Sequence, residues 1–160
     1  MNYLPALLLL LGWLPAPAQT IVLPSGEYLD TTSARNPACA SAGWARYYNV
    51  QGKYPRSSST LTQEAQAFLQ RRPAAYAGSG YVTFRFAVDC AGHRQPQVQV
   101  LQTDAQYQPM HFRPELVAAL YTYFQTLTEW RLGTVQHVPV NYLAYLTFKL
   151  QNGKVVAVVP

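Results

Sequence analysis

Cys90 and His93, separated by two residues, are the side chains of this chain best spaced for chemistry, with Cys39 as the only other cysteine. Three readings are open to them. A Cys-x-x-His pair joined by Cys39 would be a metal half-site. Zinc usually takes four ligands at tight spacing, and His111 and His137 lie far along the chain. As a thiol–imidazole pair, Cys90 would be a nucleophile and His93 its base, but a cysteine in a hairpin turn is more often structural. Joined to each other, Cys39 and Cys90 would close a loop of about fifty residues. Other chemistry is poorly supplied. Ser79 in Gly78-Ser79-Gly80 lacks the spacing and the preceding strand of a nucleophile elbow. The carboxylates Glu27, Asp30, Glu64, Asp89, Asp104, Glu115 and Glu129 are scattered, and no glycine-rich phosphate loop or histidine-rich helix is present. No catalytic residue, metal ligand or cofactor is assigned, and the residues point to binding rather than catalysis.

Which reading of the cysteines applies depends on the compartment. Residues 1–18 carry no charged side chain, an apolar run from Leu4 to Leu14, Pro15 and Pro17, and the small-x-small site Ala16-Pro17-Ala18. This is the pattern of a secretory signal peptide, cleaved before Gln19. The run is too short for the ~20 residues of a bilayer span, and no second run could be one. The expectation is a periplasmic or secreted protein without a membrane span after cleavage. Two cysteines in an oxidising compartment most often pair, so a Cys39–Cys90 disulfide is expected, with free thiols and the metal half-site as alternatives. Twelve Lys and Arg against seven Asp and Glu give a net charge of +5. They are dispersed, with only Arg71-Arg72 adjacent, which excludes a nucleic-acid stripe.

The elements that would position these residues follow from periodicity. Residues 19–59, rich in Pro, Gly, Ser and aromatics, read as an irregular arm. A helix is predicted over 61–71, opened by a capping box at Thr60 and Gln63. Alternation at Val82, Phe84, Phe86 and Val88 gives a strand over 81–88, and Asp89 and Gly92 turn it into a second over 97–102. Pro114 opens a helix whose Leu116, Leu120, Phe124 and Leu127 share one face, ending near Trp130 and Gly133. Residues 140–150 alternate again, and Asn152-Gly153 signals a hairpin to a last strand over 154–159. The expected fold class is α+β: a small antiparallel β-β-α-β-β sheet packed on one long helix, with an additional N-terminal helix, as one domain over 60–160. Its core is expected between the Leu116/Leu120/Phe124/Leu127 face and Val82, Phe84, Phe86, Val88 and Phe148.

The ordered set Gly80, Val82, Phe86, Val88, Asp89, Gly92, Trp130, Gly133, Phe148 and Leu150, preceded by Tyr54-Pro55, resembles the TonB C-terminal domain family over roughly residues 54–160. The resemblance implies a periplasmic domain that grips partner proteins through its sheet. It implies a cell-envelope protein as partner, a segment of an outer-membrane protein among the candidates. Three departures argue against energy transduction: a cleavable signal in place of an anchor, no long Pro-rich spacer, and Leu132 where the family has proline. A free-standing exported binding module is the reading that remains, with a structural or accessory envelope protein as its alternative. Strand addition at a sheet edge would then use Tyr142, Leu143, Tyr145, Thr147 and Lys149, and Lys154, Val156 and Val158 of the final hairpin.

Overall fold

The computed structural model describes residues 27–32, 35–72 and 75–160. The predicted signal peptide lies outside the described residues. Three hydrogen-bonded strands are the frame: β3 (Gly80–Val88), β4 (Arg94–Thr103) and β6 (Val138–Gln151). Their alternating apolar residues leave one face to be covered, and two helices cover it: α1 (Ser58–Gln70) and α2 (Pro114–Gln125). Phe84, Phe86, Phe124, Phe148, Leu116, Leu120 and Leu127 are all buried between them. Phe124 is the hub, with ring centroids 5.2 Å from Phe84 and 4.8 Å from Phe86.

The expected architecture needs correction. Among the described residues the sheet has seven strands, not four, and the two helices have 13 and 12 residues, so no single long helix dominates. The arm called irregular supplies β1 (Glu27–Asp30) and β2 (Trp44–Arg46). β1 pairs antiparallel with β4, and β2 pairs parallel with β6, giving the order β1-β4-β3-β6-β2 in a mixed sheet. β5 (Gly133–Val135) and β7 (Lys154–Val159) also pair with β6. Strands of three or four residues are too short to display a period, so the sheet is under-read from sequence.

Other boundaries moved for local reasons. Helix α1 begins at Ser58, three residues before the expected start at Leu61, because the cap is Ser57 and not Thr60: Ser57 Oγ accepts the Thr60 N–H at 3.1 Å. Helix α2 stops at Gln125, where Thr126 Oγ1 donates to the Tyr123 carbonyl at 2.6 Å. Leu127 and Trp130 still enter the core, from the turn that follows the helix, which is why the apolar period outlasts it. Asn152 and Gly153 take φ of 50° and 73°, both positive as the tight hairpin turn requires. A Cβ at Gly153 would collide with the Tyr76 carbonyl.

Candidate functional site

The tip of the β3–β4 hairpin is a lock. Cys39 and Cys90 are bonded to each other, which closes the thiol and metal readings for both. Asp89 Oδ1 accepts the N–H groups of Ala91 and His93, each at 2.9 Å, and Oδ2 accepts Asn36 Nδ2 at 3.1 Å. Burial pushes the Asp89 carboxyl up, but these donors outweigh it and hold the group below its usual value. Asn141 of β6 completes the lock: its Oδ1 accepts the Cys90 N–H at 3.0 Å, and its Nδ2 donates to the carbonyls of Cys39 and Ala42. The arm therefore rounds the hairpin tip on its way from one edge of the sheet to the other. His93 is exposed, and its Nδ1 lies 3.8 Å from Asp89. Among the described residues, no three His, Cys, Asp or Glu side chains come together as a metal-binding group.

The residues expected to bind a partner by strand addition fall on β6 and β7, and they do not share one surface. Tyr142 is buried, its hydroxyl donating to the Arg131 carbonyl at 2.6 Å, and burial pushes its pKa up to about 12. Leu143 is buried as well, and Val158 reaches into the core. Tyr145 and Thr147 are half-buried, while Lys149, Lys154 and Val156 are exposed. The backbone of β6 pairs with β3 from Tyr142 to Leu150 on one side. On the other, β2 takes Asn141 to Leu143 and β7 takes Thr147 to Gln151. The outer edge of β7 is engaged too. Gln66 Nε2 donates to the Val155 carbonyl at 2.7 Å, and the Val158 N–H donates to Thr62 Oγ1 at 2.9 Å, both from α1.

The opposite end of the sheet is different. β1 pairs with β4 alone, and its outer edge has no strand beside it among the described residues. Next to it runs a groove of about 670 Å³ between β1 and α2, with Leu29, Val100, Phe112, Val117 and Ala118 in its wall. Gln102 organises the polar rim: its Nε2 donates to Glu27 at 3.0 Å, and its Oε1 accepts the Phe112 N–H at 2.9 Å. His111 Nδ1 sits 3.1 Å from the other Glu27 oxygen. Sequence reasoning missed this edge. The signal for it was Pro24-Ser25-Gly26 just before Glu27 and the Asx turn in which Asp30 accepts the Thr32 N–H, which together bracket four residues.

No helix among the described residues is long and apolar enough to cross a membrane. Comparison of the chain with protein-family models, curated proteins and solved structures returns no match.

Proposed function

We propose that this chain is an exported, non-catalytic protein-binding module of the cell envelope. It takes an extended segment of a partner protein as an added strand on the outer edge of β1. The observation that carries this is the outer edge of β1, which no strand joins among the described residues, lying beside an apolar groove. Free N–H and C=O groups give such a segment its hydrogen bonds, and the groove takes its alternate side chains. The matching segment is a cell-envelope protein strand with apolar residues at every second position, one of which seats against Leu29, Phe112 and Val117. The disulfide suits an oxidising compartment, and the resemblance to TonB C-terminal domains supports partner binding through a sheet. Strand addition along Tyr142 to Lys149 would require both β2 and β7 to leave, exposing Ala45, Val155 and Val158, all buried.

Site-specific photo-crosslinking tests the reading. A photoreactive phenylalanine analogue at position 29, and separately at 145 or 156, is expressed in the exported protein and irradiated in cells. A discrete protein adduct from position 29, absent from 145 and 156, is expected. Adducts from 145 or 156 instead would move the site to the β6–β7 side. No adduct from any of the three would refute strand addition.

A further inference from the structure

The hairpin of β5 and β6 runs beyond the rest of the sheet. β3 joins β6 only from Tyr142 onward and β2 only from Asn141. Val138 to Val140 therefore have β5 as their only strand partner among the described residues. One face of this ribbon begins in the core. Tyr142 and Val140 are buried, and a Cβ at Gly133 or Gly52 would collide with the Tyr142 ring. Two residues further out the same face carries Val138 and, directly across from it, Val135. Val140 is 8% exposed, whereas Val138 and Val135 are 61% and 44% exposed, and Leu132, just before the ribbon, is 49% exposed. Gln136 and His137, at φ of 50° and 66°, close the ribbon in two residues and keep the tip narrow. The apolar face is thus carried past what covers it.

The charge around this tip is one-sided. Residues 31–63 and 130–160 contain no Asp or Glu. The fold brings these two segments together through the β2–β6 pair. It also forms a cleft between them, of about 360 Å³, which Asn49, Gln51, Arg131 and Thr134 line beside Leu132. Arg131 is exposed, and its backbone is fixed by its carbonyl, which accepts the Tyr142 hydroxyl at 2.6 Å. Arg46, Lys53 and Arg131 have no carboxylate partner among the described residues. Two carboxylates border the region, and neither offsets these cations. Asp89 is buried in its own turn, and Glu129 is held by Arg56 at 3.1 Å.

We propose that the β5–β6 tip docks this protein on an anionic lipid surface. Leu132, Val135 and Val138 enter the headgroup layer, while Arg131 in the polar cleft meets a lipid phosphate. Shallow insertion of aliphatic side chains beside cations is a combination that holds a protein at a charged interface. A guanidinium flanked by side-chain amides suits a phosphate. A protein partner fits less well. A specific interface takes about 800 Å² from each side, and a two-residue turn bearing three aliphatic side chains falls well short of that. β4 and β3 lie between β1 and β6 in the sheet, so the lipid contact leaves the β1 edge free and does not depend on strand addition there.

The test is sedimentation of the whole mature protein with vesicles. Phosphatidylcholine alone is compared with the same lipid carrying about one third phosphatidylglycerol. Binding to the anionic vesicles that weakens at high salt is expected, with little binding to the neutral ones. Val135→Ser combined with Val138→Ser should weaken it about tenfold or more, as the aliphatic burial is lost. Arg131→Gln should weaken it about fivefold, the contribution of one cation near an anionic surface. Arg71→Gln, at the far end of the fold where α1 closes beside the Asn152–Gly153 turn, should leave it unchanged. Val138→Trp should shift the emission to the blue on anionic vesicles, relative to the wild type, as the added ring leaves water. No binding to anionic vesicles overturns the proposal and leaves the tip to a protein partner. Binding that the double serine variant leaves intact overturns it too, as does a Val138→Trp emission that does not move. Equal losses from Arg71→Gln and Arg131→Gln would mark uniform adsorption of a cationic protein and overturn it as well.

Discussion

Replacing both cysteines by serine should cost this protein roughly 4 kcal/mol, because the bond acts chiefly on the unfolded chain. Cys39 and Cys90 are 51 residues apart. In the chain-entropy account, closing a loop of that length removes about 14 cal/mol/K from the unfolded ensemble, or about 4 kcal/mol at 25 °C. The native arm keeps its other ties, from Asn36 to Asp89 and from Asn141 to the Cys39 and Ala42 carbonyls, so the folded state loses little directly. Urea unfolding of the Cys39→Ser/Cys90→Ser protein is the assay. The unfolding free energy extrapolated to water should fall by the full amount, while the slope should rise, since an unbridged chain exposes more surface when it unfolds. For a domain with a total stability of ~5–15 kcal/mol the variant still folds, with a melting temperature lower by roughly 10–20 °C. A loss below about 1 kcal/mol would mean that the unfolded arm is already restrained. Two thiols titrating in the native, unreduced protein would remove the premise altogether.

Two more expectations concern the interior and the hairpin tip. Phe86→Ala and Phe124→Ala should each cost about 3–5 kcal/mol by urea titration, and the double variant should cost less than their sum, since the rings touch at 4.8 Å. Full additivity would mean that the two rings do not share one packing unit. Asp89 should make stability pH-dependent: the N–H donors around it hold its carboxyl below the ordinary aspartate range in the folded protein, so its contribution is present above that range and lost as pH falls through the lowered value. Asp89→Asn should flatten the acid limb of the stability profile, and an unchanged limb would place the dependence on another carboxyl.

The parts of the fold legible in the sequence are those long enough to show a period. Val82 to Val88 and Tyr142 to Leu150 alternate over many residues, and Leu116, Leu120 and Phe124 repeat over more than two turns, so their elements and their shared core could be read directly. Trp44–Arg46 and Glu27–Asp30 could not, since three or four residues fit any period. β5 was missed for a different reason. Its turn to β6 places Gln136 and His137 at φ of 50° and 66°, a conformation usually marked by Asn or Gly, and neither residue signals it. The candidate site was harder still. Alternation shows which face of β6 is apolar, but it does not show whether a third segment already occupies its edge. That depends on Trp44, Thr62 and Gln66, all remote in sequence, and only the assembled sheet reveals it. The cysteines were the exception, because two cysteines leave a single intramolecular pairing.

The path of the arm around the hairpin tip imposes an order on folding. Both of its strands come early in the chain, yet each waits for a partner formed much later: β1 for β4, and β2 for the middle of β6. Neither can nucleate on local contacts, and each closes a long loop when it docks. The β3–β4 hairpin with α2 and β6 must assemble first as a platform, and the arm then wraps it from both sides. An oxidised chain that is unfolded and refolded keeps Cys39 tethered to the tip, so its arm searches a small volume. A reduced chain searches without that tether, and its last phase, the wrapping of the arm, should be the step that oxidation accelerates.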